Sequence, residues 1–384
     1  MRRLVALSAV AGLLVLTACG DIDDSPQATG QPTTPPAQTQ APGPAETTTE
    51  PTPSPASSPD EPAAGPVEPT DVATIARGLN VPWDIAFISD DEALVSERNT
   101  ARILSVTADG EVTEVGVVDG VSPGGEGGLQ GIAVHEDWLY VYYTAASDNR
   151  VVRMPFDGSS LGDQEVIIDG IPKAGIHNGG RIRFGPDGLL YVATGDASET
   201  GRSQDIDSPA GKILRLNPDG SVPDGNPFDS AVWSYGHRNP QGIAWDDGGQ
   251  LWASEFGQNT WDELNLIEAG ENYGWPEVEG IAEDDEFIDP VLQWSTDEAS
   301  PSGIAYARDT IFMAGLRGQR LWQIPVPDGS AGEPEAFFDG EYGRLRHAEL
   351  APDGSLWLLT NNTDGRSRSG PGPDDDRILR VGLE

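Results

Sequence analysis

The chain has 384 residues, with 63 acidic against 23 basic side chains and a formal net charge of −40. So negative a domain would be repelled by nucleic acid and by an anionic membrane face, which excludes both as binding surfaces. Neutral ligands and bound divalent cations stay open, and the plainest consequence of the charge is solubility in a salty or extracellular setting.

The first element in chain order is a targeting segment. Arg2 and Arg3 form a positive start, and Leu4 to Leu16 is an apolar run too short to serve as a stable span. It ends in Leu16-Thr17-Ala18-Cys19-Gly20, the pattern of a bacterial lipobox. Residues 1–18 are expected to be removed, with Cys19 lipidated at the new N-terminus. Cys19 is the single cysteine of the chain, so it has no disulfide partner. The expected location is extracytoplasmic, lipid-anchored to the cell membrane. Residues 19–69 are mostly Pro, Thr, Ser, Ala and Gln. Such a stretch buries too little apolar surface to offset its ordering entropy and is expected to be a disordered tether.

Residues 70–384 are long enough for one large domain, and a repeat runs through them. Its first strand reads Asp84-Ile85-Ala86-Phe87, then Gly131-Ile132-Ala133-Val134, then Arg181-Ile182-Arg183-Phe184. It continues as Gly242-Ile243-Ala244-Trp245, Gly303-Ile304-Ala305-Tyr306 and His347-Ala348-Glu349-Leu350. Partner strands follow, such as Leu139-Tyr140-Val141-Tyr142 and Leu356-Trp357-Leu358-Leu359, often after a turn such as Pro186-Asp187-Gly188 or Pro352-Asp353-Gly354. Hairpin turns need a positive φ, which glycine supplies without a Cβ penalty. Six units of about 40 to 60 residues, without a sustained helical period, predict an all-β six-bladed β-propeller. A pair of irregular β-sandwiches is the structural alternative.

Three loops before blade-starting strands hold unusual polar residues: Gly175-Ile176-His177-Asn178-Gly179-Gly180-Arg181, Tyr235-Gly236-His237-Arg238-Asn239-Pro240-Gln241 and Gly343-Arg344-Leu345-Arg346-His347. A propeller would gather them around one axis. A histidine, three arginines and an asparagine at one cavity suit an anionic, planar, oxygen-rich ligand and a general base. His135, His237 and His347 read as structural, and the acidic run Glu283-Asp284-Asp285-Glu286 as a solvated loop.

These loops, with Ser254-Glu255-Phe256-Gly257-Gln258-Asn259, Asp262-Glu263-Leu264-Asn265-Leu266-Ile267 and Gly270-Glu271-Asn272-Tyr273-Gly274-Trp275-Pro276, carry a resemblance. From about Ala76 to the C-terminus the chain resembles the soluble pyrroloquinoline quinone-dependent glucose and aldose sugar dehydrogenases. That resemblance implies oxidation of the C1 hydroxyl of an aldose to a lactone, with the quinone and calcium as cofactors and an artificial or membrane electron acceptor. It places His177 as catalytic base and Arg238 with Asn239 against the quinone oxygens. It sets Arg344 and Arg346 on the cofactor carboxylates, Arg317 as a further cationic contact, and Glu126 where glucose-oxidising relatives carry a glutamine.

The cofactor calcium is implied on the backbone carbonyls of Gly257 and Gln258, where the family carries Gly-Pro. A second, structural calcium is implied on Glu263 and the Tyr273 carbonyl; hard oxygen donors suit that ion. Ile176 replaces the acid that glucose-oxidising relatives carry before the histidine, and cannot orient the imidazole, which places the chain nearer the broad-specificity aldose branch. Two other functions compete: a non-catalytic propeller binding glycans or a protein, and a calcium-dependent propeller lactonase.

Overall fold

The structure is a computed structural model that describes residues 66–384. The leader, the lipobox with Cys19 and the linker as far as residue 65 lie outside the described residues.

Strand β1 (Pro69–Ala76) precedes six consecutive sets of strands. The first set is β2 (Pro82–Phe87), β3 (Glu92–Glu97), β4 (Arg102–Thr107) and β5 (Val112–Val117). The second is β6 (Leu129–His135), β7 (Trp138–Thr144), β8 (Asn149–Pro155) and β9 (Glu165–Ile171). The third is β10 (Ile182–Phe184), β11 (Leu190–Thr194), β12 (Lys212–Leu216) and β13 (Val232–Tyr235). The fourth is β14 (Pro240–Trp245), β15 (Leu251–Glu255), β16 (Trp261–Ile267) and β17 (Leu292–Ser295). The fifth is β18 (Pro301–Ala307), β19 (Thr310–Gly315), β20 (Arg320–Pro325) and β21 (Glu335–Phe337). The sixth has three strands of its own, β22 (Leu345–Leu350), β23 (Leu356–Thr360) and β24 (Ile378–Leu383). Strand β1 completes it by pairing antiparallel with β24. Each set is one four-stranded antiparallel sheet, and the innermost strands contact one another in a ring that closes from β22 to β2. The chain is a six-bladed β-propeller. Helix among the described residues is confined to three short 3-10 turns.

The core lies between blades. Leu139 and Val141 of β7 pack toward the first blade with Leu94 and Ile103, while Tyr140 and Tyr142 pack toward the third with Leu190 and Val192. Strand β23 repeats this: Leu356 and Leu358 face the fifth blade, Trp357 and Leu359 the first. Alternate side chains leave a strand on opposite faces, so a strand buried on both faces reads as an unbroken apolar run. This is why the partner strands stand out in the sequence.

Five innermost strands are irregular where they begin. The register shifts between Pro82 and Asp84, Leu129 and Ile132, Pro240 and Gly242, Pro301 and Ile304, and Leu345 and His347. A bulge re-aims side chains and sits characteristically beside a site. Here the inserted residues include Trp83, Gln241 and Arg346, and all three line the cavity described next. Simple strand alternation, which would set Arg344 and Arg346 on one face, does not describe this strand start; the bulge at Arg346 brings both to the cavity.

Candidate active site

At one mouth of the propeller two sets of loops converge: those entering the innermost strands, and those joining the second strand of a blade to its third. They enclose a cavity of about 370 Å³ whose wall includes His177, Arg238, Asn239, Glu126, Gly257, Arg317, Arg344 and Arg346. These residues come from loops far apart in sequence, as expected. Trp83, Gln241, Ser300, Gln319, Arg366 and Arg368 share the wall.

His177 is at the centre of a fixed network. Its backbone is left-handed, with φ +60°, and its amide donates to Glu126 Oε2 at 2.9 Å. Its Nδ1 is 2.8 Å from Asp196 Oδ1, and its Nε2 is 2.9 Å from Arg238 Nη2. A guanidinium only donates, so Nε2 accepts and the proton resides on Nδ1, shared with Asp196. The Nε2 lone pair is thus turned to the cavity wall that Arg238 shares.

Asp196 also accepts the Ser198 amide at 2.7 Å and the Trp275 indole N–H at 2.9 Å. Burial alone would raise its carboxyl, but the His177 ring, the Ser198 amide and the indole outweigh burial and hold it below the usual range. The sequence reading missed this residue. Ile176 does not orient the imidazole, but a carboxylate from the loop after β11 does. The available signal was positional, because Gly195-Asp196 opens a second-to-third-strand loop, and that set of loops shares the mouth with the entry loops.

Arg238 donates from Nη1 to Phe256 O at 3.1 Å, and its backbone amide bonds Glu255. Asn239 accepts the Gly179 amide at 3.0 Å, tying the Arg238 loop to the His177 loop. Arg344 pairs with Asp364 at 3.0 Å. Arg346, 4% exposed, donates to Gln241 Oε1 at 2.8 Å and Ser302 Oγ at 3.2 Å and has no carboxylate partner among the described residues. Burial, with Arg98 and Arg344 nearby, lowers its guanidinium to about 9. Among the described residues, the Nε atoms of Arg238, Arg344 and Arg346 are all buried without a hydrogen-bond partner. Unpartnered buried donors are costly and are rare in native folds. With their guanidiniums lining one cavity, the three arginines fit an anionic, oxygen-rich ligand of the kind the pyrroloquinoline quinone tricarboxylate presents.

Arg317 lies at the rim, exposed, paired with Asp297. Glu126 bridges two partners, taking the His177 amide on one oxygen and Arg366 Nη1 on the other at 2.5 Å. Burial opposes its charge, yet Arg366 and His177 keep the carboxyl below its usual value.

Gly257 lines the main cavity, whereas Gln258 is exposed in the loop after β15. The amides of Gln258, Asn259, Thr260 and Trp261 all donate to Glu279 Oε1, at 2.6 to 3.2 Å. A second, very small cavity adjoins the first through Arg238 and Gly257 and is walled by Glu255, Glu263, Glu279 and Tyr273. Burial and the Glu255 carboxylate push the Glu263 carboxyl up. Carboxylate oxygens along one small cavity are the donors a hard cation such as calcium takes, although these three do not bring their oxygens within 4.8 Å of one another.

Of the remaining histidines, His237 is buried between Ser234 and Glu255. His347 belongs to an ionic cluster on the propeller axis. Arg183 Nη2 lies 2.8 Å from Asp84 Oδ1, 2.9 Å from His347 Nε2 and 2.8 Å from Glu349 Oε2. Asp84, His347 and Glu349 are the one group of three ligand-type side chains found close together among the described residues. A guanidinium already sits at their centre, so this axis lacks the open central metal position that a propeller lactonase requires.

A model of the glucose/sorbosone dehydrogenase family matches residues 79–369. A solved structure of the PQQ-bound aldose sugar dehydrogenase of Streptomyces coelicolor is similar at 54% identity and a TM-score of 0.80, covering 84% of this chain and 99% of that one. The aldose sugar dehydrogenase YliI of Escherichia coli is 28% identical over 77% of this chain and 91% of its own length. The quinoprotein glucose dehydrogenase B of Acinetobacter calcoaceticus is 33% identical over 59% of this chain and 56% of its own. With its fold, its cavity and these likenesses together, the chain belongs to the glucose/sorbosone dehydrogenase family.

Proposed function

We propose that this protein oxidises the C1 hydroxyl of aldose sugars to the corresponding lactones, using pyrroloquinoline quinone and calcium. The observation that carries the reading is the His177 imidazole, held through Nδ1 by Asp196 with its Nε2 lone pair at a cavity that also holds three incompletely bonded guanidiniums.

When bound, the quinone supplies the acceptor for the hydride that leaves C1. His177 Nε2 takes the proton of the anomeric hydroxyl, so C1 loses a hydride and its oxygen a proton, leaving the lactone carbonyl. Arg238 must yield its bond to His177 as that hydroxyl enters, which frees its guanidinium to face developing negative charge. Asp196 keeps Nδ1 protonated and stabilises the imidazolium that forms. Arg344 and Arg346 would hold the cofactor carboxylates, with Asn239 and Glu126 fixing the loops around the base. Gly257 and Gln258 would offer backbone carbonyls to a calcium beside the cofactor, and Glu263 with Tyr273 would hold a structural one.

The test is reconstitution of the purified protein with quinone and calcium, followed by aldoses and a dye acceptor. Lactone formation that requires both additions supports the reading; reconstituted protein that reduces no dye with any aldose overturns it. The proposal extends to export and anchoring through Cys19, supported by the lipobox pattern alone. Cys19→Ser is expected to leave the membrane fraction, and its full retention there would remove the anchor.

A further inference from the structure

The cavity wall is opposite in sign to the molecule. Six guanidiniums line it, those of Arg238, Arg317, Arg344, Arg346, Arg366 and Arg368, against the single carboxylate of Glu126, in a chain of net charge −40. A cleft lined by one sign focuses potential and concentrates ligands of the other.

The six divide by depth. Arg238, Arg344 and Arg346 are buried or partly buried, each with a buried Nε that lacks a partner, and together they account for a cofactor's carboxylates. Arg317, Arg366 and Arg368 are exposed at the rim. Arg317 is neutralised by Asp297 and Arg366 by Glu126. Arg368 lines the cavity and makes no hydrogen bond or ion pair among the described residues.

Glu126 also fixes where this rim lies relative to the base. One of its oxygens takes the His177 amide and the other takes Arg366, two residues before Arg368. The loop between β23 and β24, with Arg366 and Arg368, therefore stands beside the His177 loop at the cavity mouth. A sugar whose C1 hydroxyl meets His177 has its remaining groups free to face these rim cations.

We propose that the preferred substrate is an aldose carrying an anionic group, a carboxylate or a phosphate, at the end remote from C1, recognised by Arg368. This rests on the dehydrogenase reading of the same site. The chemistry at C1 is unchanged: a hydride leaves for the quinone, a proton goes to His177, and the anionic group is a spectator. A guanidinium fork pairs with carboxylate or phosphate oxygens, whereas a neutral hydroxymethyl group leaves it to water.

The experiment uses quinone- and calcium-loaded protein with galactose, galacturonate and galactose 6-phosphate; the last two separate carboxylate from phosphate. At least one anionic sugar is expected to exceed galactose in kcat/KM by about tenfold or more, as one or two charged hydrogen bonds allow. The advantage should shrink as salt screens the rim. In Arg368→Glu, compared at matched quinone occupancy, the ratio is expected to fall at least about tenfold.

A binding measurement independent of turnover uses methyl galacturonide and methyl galactoside, which lack the free anomeric hydroxyl. Calorimetry should show tighter binding of the galacturonide, lost in Arg368→Glu. Equal efficiency for neutral and anionic aldoses overturns the proposal and leaves the dehydrogenase reading intact. Preferential galacturonide binding with no aldose oxidised overturns the dehydrogenase reading, and the substrate assignment with it.

Discussion

The φ of +60° at His177 costs a non-glycine residue about 1 kcal/mol or more and persists only where surrounding bonds dictate it. They do so here: Glu126 holds the amide, Ala197 donates to the His177 carbonyl at 3.1 Å, and Asp196 and Arg238 hold the two ring nitrogens. His177→Gln keeps a side chain of similar reach without a basic nitrogen, so it should retain quinone binding while oxidation falls about 10²- to 10⁴-fold. Titrating the cofactor and measuring turnover on the same preparation checks both halves. Asp196→Asn should lower kcat about tenfold to a hundredfold, more than it changes KM, because it disturbs the proton on Nδ1 and not sugar contacts. The Asp196 carboxyl sits below its usual value in the fold. Its pairing thus stabilises the native state above the unfolded pKa of about 3.9 and is lost as pH falls through the lower folded value. Melting temperatures of Asp196→Asn should accordingly depend less on pH than those of the wild type below about pH 4.

At the scale of elements, what the sequence showed follows burial. The second strand of each blade packs against neighbours on both faces, so its apolar run, following a recurring first strand and often a Gly-bearing turn, was readable. Outer strands were not, because β5 and β9 leave much of their surface to solvent and carry no such run. The site divides in the same way. Entry loops flank recognisable strands, so His177, Arg238, Arg344 and Arg346 could be found. Asp196, Arg366 and Arg368 sit in polar second-to-third-strand loops whose meaning depends on the ring that gathers them. The loop after β11 has an anchor of its own in Lys212. The Lys212 side chain is buried, and its ammonium donates to the carbonyls of Arg202, Ser203 and Ala210 at 2.8, 3.0 and 2.8 Å. Lys212→Met would leave three acceptors without their donor, at about 1 to 3 kcal/mol for each buried group left unsatisfied. We expect a loss of about 3 kcal/mol or more in denaturant melts, with reduced kcat because the same loop carries Asp196.

The whole molecule depends on joining its two ends. Strand β1 pairs Val72 with Val381, Ala73 with Arg380 and Thr74 with Leu379, and Glu68 exchanges backbone bonds of 2.9 and 3.1 Å with Glu384. Just before it, Val67 is buried in the core between the fifth and sixth blades, where its carbonyl accepts from Gln323 at 2.9 Å. A propeller's cores lie between blades, so each is complete only if the ring is. Removing residues through Arg77 would take away the outermost strand of the last blade, strip Val67 and Ala76 from two of those cores and expose the edge of β24. Burial of one valine is itself worth about 1.5 to 3 kcal/mol, and the ladder bonds add to it. The shortened chain should therefore melt at least about 5 °C lower than one that retains β1. An unpaired edge also templates pairing with another chain, so the truncated protein should form soluble oligomers or precipitate at concentrations where the longer one stays monodisperse. Calorimetry and size-exclusion chromatography on the two proteins decide the matter: matching melting temperatures and elution volumes would show that the ring holds without β1.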